Sequence, residues 1–365
     1  MNSIITATGS YLPKRIMTND DVSRRVDTSD AWIRERTGIT QRHIVAEGEF
    51  TSHMATHAAQ KALEMAGYGP DMIDGIVVAT STPDSTMPST AAKVQAALGI
   101  KHGAVVDVAA ACTGFIYALS VAHGWIQTGL ATRVIVIGAE TMSRIIDWND
   151  RGTCILFGDG AGAVILENGE AGGVPSPLRG GLGRGAKNEA DTLHAPPSNL
   201  PPQGGEASPA APFAHIDNTR RGILAIMLDG NGEFAPLLGT NGGVSATQTA
   251  GHLFMEGQEV FRHGVEKMAG ITQRTLAKAG LNIADVDWLI PHQANARMIR
   301  MIGRTLRIAD SKCVVTVDRH ANTSAATIPL ALDEANRDGR LKKGNILALP
   351  ALGAGLTWGC AVVCW

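Results

Sequence analysis

Two distant segments of the chain read alike, AQKALEMAGYGPDMIDGIVVAT from Ala59 and TQRTLAKAGLNIADVDWLIPHQ from Thr272. Each has apolar residues at helical spacing, then a glycine-bearing turn, then an apolar run that predicts a strand. Ala66, Gly67 and Asp74 of the first copy match Ala279, Gly280 and Asp287 of the second at identical spacing. The stretches C-terminal to the two copies also correspond. The first copy continues into a strand, a loop holding Cys112, a long helix, the strand RVIVIGA and a glycine-rich turn into AGAVIL. The second continues into VVTVD, a loop holding Asn322, a helix, NILALPA and GAGLTWGCAVV. A repeated α/β unit buries its sheets under helices, and duplicated halves place a site where the two meet. The expected organisation is a half over residues 1–172, an insertion over 173–221 and a second half over 222–365.

Composition narrows the class. At 365 residues, 44% hydrophobic and 18% charged, the chain can bury a large core and is not a disordered polymer. A net charge of -2 gives no general attraction to nucleic acid, so a charged partner must be met by a local patch. The start, MNSIITATGSYLP, lacks the basic and apolar regions of a signal peptide. The most apolar stretch, Ile346 to Val363, is broken by Pro350 and several glycines and predicts two buried strands rather than a membrane span. Five scattered cysteines form no disulfide framework or CxxC pattern, which points to a reducing cytoplasm, and the eleven histidines show no ligand spacing, so no metal is expected. The insertion is rich in proline, glycine and polar residues and predicts a long surface loop or flap. Two glycine-rich strings, 158–162 and 353–355, run into strand-like sequence rather than opening a helix. They predict tight turns near a site, not a dinucleotide fingerprint.

Cys112 lies where an apolar run ends and a helical pattern begins. A thiol there faces unpaired backbone N–H groups and the positive end of a helix dipole, which favour the thiolate, although the same placement suits a buried structural cysteine. Pro291-His292-Gln293-Ala294-Asn295 comes after the run VDWLI, and His320-Ala321-Asn322-Thr323-Ser324 after VVTVD. Both stand at expected strand-to-helix junctions, and the duplication lets Cys112, His292 and Asn322 converge on one cleft. Singly, the histidine also reads as a hydrogen-bonded structural residue and the asparagine as an N-cap.

The strings DVAAACTGFIYAL, RGTCILFGDGAGAVIL, DWLIPHQANARMI, DRHANTSAATIPLALDEA and GAGLTWGCAVV together resemble the beta-ketoacyl-acyl-carrier-protein synthase III family. The resemblance covers nearly the whole chain outside the insertion. It implies an α/β thiolase fold of two duplicated, layered αβαβα halves with mixed five-stranded sheets. It also implies a decarboxylative condensation of a short acyl-CoA, typically acetyl-CoA, with malonyl-acyl carrier protein, without a metal or redox cofactor. By the same resemblance Cys112 is the nucleophile, His292 and Asn322 stabilise the enolate, and the backbone N–H groups of Cys112 and Ala354 hold the oxyanion. Trp32, Arg36 and Arg151 correspond to residues that hold the adenine end of CoA, Ala294 and Asn295 to the pantetheine channel, and Phe157 to a neighbour of the cysteine.

Arg297, Arg300 and Arg304 recur at helical spacing after His292 and read as a docking face for an acidic carrier protein, to which the resemblance adds Arg262. The family's homodimer is implied as well. Three departures stand out. The insertion is not typical of short members, the glycine turn reads Gly353-Ala354-Gly355, and Met87 stands where a phenylalanine often closes the acyl pocket of the dimer partner. A relative with a different acyl starter, from secondary metabolism, and a non-catalytic binding or scaffold member are the alternative readings.

Overall fold

The computed structural model describes residues 2–169 and 221–365. Of the expected insertion 173–221 only Arg221 is described, so the reading of that segment as a loop or flap lies outside the described residues. The first part of the chain holds the strands β1 (Ser3–Tyr11), β2 (Arg15–Thr18), β3 (Gln41–Ile44), β4 (Gly75–Ala79), β5 (Ala104–Val108), β6 (Arg133–Thr141) and β7 (Asp159–Asn168). Its helices are α1 (Asn19–Ser23), α2 (Asp30–Thr37), α3 (Thr51–Ala66), α4 (Thr90–Ala97), α5 (Gly114–Gln127) and α6 (Arg151–Cys154). The later part adds β8 (Gly222–Gly230), β9 (Leu238–Thr240), β10 (Leu253–Met255), β11 (Trp288–Leu289), β12 (Ile346–Gly353) and β13 (Thr357–Cys364). With them come α7 (Gly257–Lys278), α8 (Ala296–Leu306), α9 (Val317–His320) and α10 (Thr327–Arg337).

The two main sheets have one topology. The first runs β1-β7-β6-β4-β5 and the second, read from the corresponding edge, β8-β13-β12-β11. In each, the first three strands are mutually antiparallel and the next joins in parallel. The repeated aspartate explains part of this likeness. Asp74 N donates to Arg133 O while its carboxylate accepts from the amides of Thr132 and Arg133. Asp287 N donates to Ile346 O and its carboxylate accepts from the Ile346 amide. Each aspartate thus fastens the start of its own strand to the start of the parallel neighbour. The glycine of each repeat, Gly67 at φ 68° and Gly280 at φ 75°, ends its helix in the left-handed region that favours glycine.

The fifth strand of the second sheet is reduced to one parallel bridge, Leu289 with Cys313. The strand expected over VVTVD does not form, because a side chain takes its ladder. Gln293 donates to Val314 O and accepts from Thr316 N, after which the chain turns into α9.

Five layers stack across the molecule. Phe115, Ile116 and Leu119 of α5 and Ile328, Ala331 and Leu332 of α10 fill the central layer between the sheets. Ala55, Ala58, Ala59 and Ala62 of α3, with Val94 of α4, cover the outer face of the first sheet. Met268 and Leu276 of α7 and Met298 and Ile302 of α8 cover that of the second. Burying each large aliphatic side chain is worth about 1.5–3 kcal/mol, so the central layer is the main stabilising contact between the two sheets.

The glycine string at 158–162 is not a tight turn. From Asp159 onward it is strand β7, and a Cβ on Gly162 would lie 2.6 Å from Leu330 N. Glycine is needed there because α10 lies directly on the strand. Among the described residues no helix is long and apolar enough to cross a membrane.

Candidate active site

Cys112 lies in the short helical turn Ala111–Thr113 that leads into α5. Two close approaches set its position. A Cβ on Gly353 would come within 2.8 Å of Ala110 O, and one on Gly114 within 3.1 Å of the Ala79 side chain. Ala111 is held at φ 45°, a conformation that costs an alanine energy and that packing must maintain. The sulfur is buried, and its hydrogen-bond partner is the Ser324 hydroxyl at 3.6 Å. The dipole argument from sequence is outweighed here. Burial raises the thiol, the Ser324 hydrogen bond lowers it and the Glu140 carboxylate raises it again, and together they push it up to about 12. In the resting protein Cys112 is therefore a thiol at neutral pH.

His292 comes just after β11, and its amide donates to Pro350 O of the neighbouring β12. Its Nδ1 stands 2.8 Å from the Thr327 hydroxyl, which is also 3.0 Å from Ser324 O. Burial pushes the imidazole down to about 3, so it is neutral. Asn322 is clamped by backbone on both sides. Its amide donates to Leu156 O and its carbonyl accepts from Gly158 N. Its Oδ1 accepts from Ser324 N at 2.9 Å, which leaves the Nδ2 group available as a donor. Ala321 at φ 58° and Ser324 at φ 50° flank this segment. With Ala111 they make three non-glycine residues in left-handed conformations around one site.

Cys112, His292, Asn322, Phe157, Ala294, Asn295 and Ala354 line a single cavity of about 270 Å³. Much of the remaining lining is apolar, including Met142, Ile145, Leu238 and Val260. A second cavity, lined by Arg36, Gln258 and Arg297, shares Gly257, Phe261 and Asn295 with the first and continues it outward. Beyond it Trp32 has the guanidinium of Arg36 at 5.2 Å and that of Arg151 at 5.1 Å from its ring centre. A path therefore runs from the buried thiol past Asn295 to an aromatic ring flanked by two cations.

Arg297, Arg300 and Arg304 are exposed on α8 and, among the described residues, make no ion pair. Arg262 differs, since its guanidinium is bound to Glu259 at 2.6 Å. Met87 is 81% exposed and does not line the cavity that contains Cys112. The single chain brings every other predicted residue of the nucleophile, enolate and acyl-CoA sets to one connected site.

Sequence reasoning missed three members of the neighbourhood, Glu140, Ser324 and Thr327. Ser324 and Thr327 sit in and just after the HANTS string that carries Asn322. The signal for Glu140 was a carboxylate ending the otherwise apolar run RVIVIGA, where a charge needs a purpose. Burial raises its proton affinity while hydrogen bonds from Thr82, Ser81, Ser324 and Thr80 lower it. Among the described residues no three His, Cys, Asp or Glu side chains are grouped to hold a metal ion.

The family model described as 3-Oxoacyl-[acyl-carrier-protein (ACP)] synthase III matches residues 106–177, and its C-terminal counterpart matches residues 276–365. The beta-ketoacyl-[acyl-carrier-protein] synthase III of Bradyrhizobium diazoefficiens is 48% identical over 365 residues, spanning 100% of this chain and 99% of that protein. The protein of the same name from Rhodospirillum centenum is also 48% identical, with 100% and 99% covered. Among solved structures, the 3-oxoacyl-[acyl-carrier-protein] synthase III of Aquifex aeolicus has a TM-score of 0.83 at 38% identity, with 100% of both chains covered. With relatives this similar along its full length and the same doubled α/β architecture, the chain belongs to the 3-oxoacyl-[acyl-carrier-protein] synthase III family of thiolase-fold condensing acyltransferases.

Proposed function

We propose that the protein joins a short acyl group, acetyl in the first instance, from CoA to the malonyl group of a carrier-protein thioester. The sulfur of Cys112 attacks the acyl-CoA carbonyl, and the backbone N–H groups of Cys112 and Ala354 receive the oxyanion that forms. CoA leaves and the acyl group stays on sulfur. Malonyl-acyl carrier protein then enters the same channel and loses CO2 to give an enolate. The Nδ2 group of Asn322 and Nε2 of His292 donate to the enolate oxygen, and its carbon attacks the acyl-Cys112 carbonyl to release 3-ketoacyl-acyl carrier protein. The Thr327 hydroxyl donates to Ser324 O, and turning its hydrogen to His292 Nδ1 leaves the imidazole to donate from Nε2. These steps use no metal or redox cofactor.

The observation that carries the reading is the meeting of Cys112, His292 and Asn322 in one largely apolar cavity, with the Asn322 carbonyl already engaged and its donors unspent. In this scheme residues 1–172 supply the nucleophile and 222–365 the enolate donors. Trp32, Arg36 and Arg151 hold the adenine end, Ala294 and Asn295 border the pantetheine, and Phe157 packs at the acyl group. Arg297, Arg300 and Arg304, joined by Arg262, receive the acidic carrier protein. The chain works as a homodimer. The free edge of β5, whose side chains are all half-buried, and the exposed Met87 in the loop before α4 support a shared face there. Five free cysteines and these substrates suit a reducing cytoplasm.

The test is intact-protein mass spectrometry after incubation with a panel of acyl-CoAs. Acetyl-CoA should add one acetyl group to the native protein and none to Cys112→Ala. Loading by longer acyl-CoAs in place of acetyl would select the alternative starter. Absence of a thioester with every acyl-CoA would contradict the enzymatic reading.

A further inference from the structure

Two buried polar groups beside Cys112 have no task in the condensation steps. The Ser324 hydroxyl accepts from the Cys112 thiol at 3.6 Å and donates to Glu140 Oε1 at 3.0 Å. Glu140, at the end of β6, has 0% exposure. Its two oxygens are not equivalent. Oε2 receives the Thr82 hydroxyl at 2.6 Å, the Ser81 amide at 3.1 Å and the Thr80 hydroxyl at 3.3 Å. The Thr82 hydroxyl accepts from Thr141 N and the Thr80 hydroxyl from Thr82 N, so each must donate to the carboxylate. Oε1 has only Ser324 and a longer contact to the Ser81 amide at 3.2 Å. It is therefore the oxygen with room for a proton, and it faces the Ser324 hydroxyl that touches the sulfur.

The fold spends structure on this contact. Gly138 on β6 has no room for a side chain, since a Cβ there would lie 2.2 Å from Ala325 O. The missing side chain lets the Ser324–Ala326 turn lie against β6 just ahead of Glu140. Ser324 itself is held in a left-handed conformation at φ 50°.

We propose that Ser324 and Glu140 form a proton store for Cys112, taking up the thiol proton when the cysteine is acylated and returning it when the acyl group departs. The proposal rests on Cys112 being the acyl-bearing nucleophile. In the first step the Cys112 proton passes to Ser324 Oγ as the Ser324 proton passes to Glu140 Oε1, and the sulfur forms its bond to the acyl carbon. The CoA thiolate leaves and takes a proton from solvent. In the second step the C–C bond forms, the acyl carbon–sulfur bond breaks, and the proton on Glu140 returns through Ser324 to the Cys112 thiolate. The overall condensation consumes a proton, and the store fixes when it is taken: during acylation.

The store starts from Glu140 as the carboxylate that accepts from the Thr80, Thr82 and Ser324 hydroxyls and the Ser81 amide, and its burial, which raises its proton affinity overall, favours taking up a proton once one is offered. Cys112 and His292 are the titratable side chains that line the cavity. The groups packed on Glu140 from the 80–82 turn and the Ser324–Ala326 turn are hydroxyls and an amide, and Thr51 of α3 braces them through Thr82 O and the Thr141 hydroxyl. Ser324, which touches the reacting sulfur, is a catalytic residue in this scheme, and Glu140 acts through it as a positioning residue.

The experiment is acetylation by acetyl-CoA at pH 7 in weak buffer with a pH-indicator dye, with intact mass recorded on the same samples. CoA released at this pH is a thiol, so direct transfer of the cysteine proton to CoA gives no net uptake. The native protein should take up a proton for each acetyl-enzyme formed, and Glu140→Gln should acetylate without uptake. Acetylation without uptake in the native protein, or equal uptake in Glu140→Gln, would overturn the store. Should Glu140→Gln not fold, Ser324→Ala decides: it should acetylate at least about tenfold more slowly and without proton uptake. Equal rates in native protein and Ser324→Ala would count against it. Failure of the native protein to acetylate at all would instead remove the functional reading beneath it.

Discussion

Cys112 is a buried thiol rather than a standing thiolate, and its reactivity with a non-specific reagent should show this. With the thiol pushed up to about 12, alkylation by iodoacetamide should be slow at pH 7 and rise about tenfold per pH unit to at least pH 10. Mass-resolved alkylation rates across pH measure this directly, and a plateau near pH 7 would show a thiolate instead. His292 stays neutral far below the working range, so decarboxylation should show no histidine limb between about pH 5 and 8. Thr327→Val removes the hydroxyl whose hydrogen must turn from Ser324 O to His292 Nδ1 for His292 to donate from Nε2. It should cut malonyl decarboxylation by about tenfold to a hundredfold while leaving acetyl loading nearly intact, as single-turnover CO2 release and intact mass would report. The candidate triad was legible through the family motifs that carry its members, with the repeat giving a reason for them to meet, although the strand expected before Asn322 does not form. Glu140 was not, because its meaning depends on a turn 184 residues away that lies against β6 only in the folded chain.

Among the elements, the repeated aspartates are the clearest case of one sequence signal serving one structural purpose twice. Asp74 accepts from two amides at the start of β6, whereas Asp287 accepts from one amide of β12. Asp74→Ala should therefore cost about 2–4 kcal/mol and Asp287→Ala about 1–3 kcal/mol, read from urea unfolding midpoints at constant slope. The helix α8 carries a separate prediction. Replacing Arg300 and Arg304 together by Ala should raise the KM for malonyl-acyl carrier protein by about tenfold or more and flatten its salt dependence, while acetyl-CoA loading changes little. The helices and the doubled strand order could be read from periodicity and repeat. The strand expected over VVTVD could not be corrected from sequence, because a glutamine amide that inserts into a sheet edge leaves no periodic trace. Nor did the glycines of β7 announce themselves as packing residues. Their reason is the helix laid across them, which is remote in sequence.

For the molecule as a whole, two buried neutral histidines tie stability to pH. Burial holds His292 and His320 near 3 instead of the usual 6.5. Both are depressed, so the unfolded chain binds protons that the folded chain does not between those values. Stability is then fully present above about pH 6.5 and falls as the pH drops toward 3. Each group contributes about 1.4 kcal/mol per pH unit within that window, so the two together should lower stability by about 4 kcal/mol between pH 7 and pH 5. His320→Gln should remove about half of that slope, provided the variant folds at pH 7.

The arrangement of two sheets around one central helical layer brings together residues that neither half contains alone, and the proposed chemistry depends on that meeting. Its most direct test is single-turnover discharge of the isolated acetyl-enzyme. Protein acetylated on Cys112 and freed of CoA is mixed with malonyl-acyl carrier protein, and CO2, the carrier-bound product and the cysteine adduct are followed together. CO2 and 3-ketoacyl-acyl carrier protein should appear as the acetyl group leaves Cys112, and His292→Ala and Asn322→Ala should load acetyl but fail to discharge it. Product formed while the acetyl group remains on Cys112, or discharge unaffected in both variants, would contradict the account.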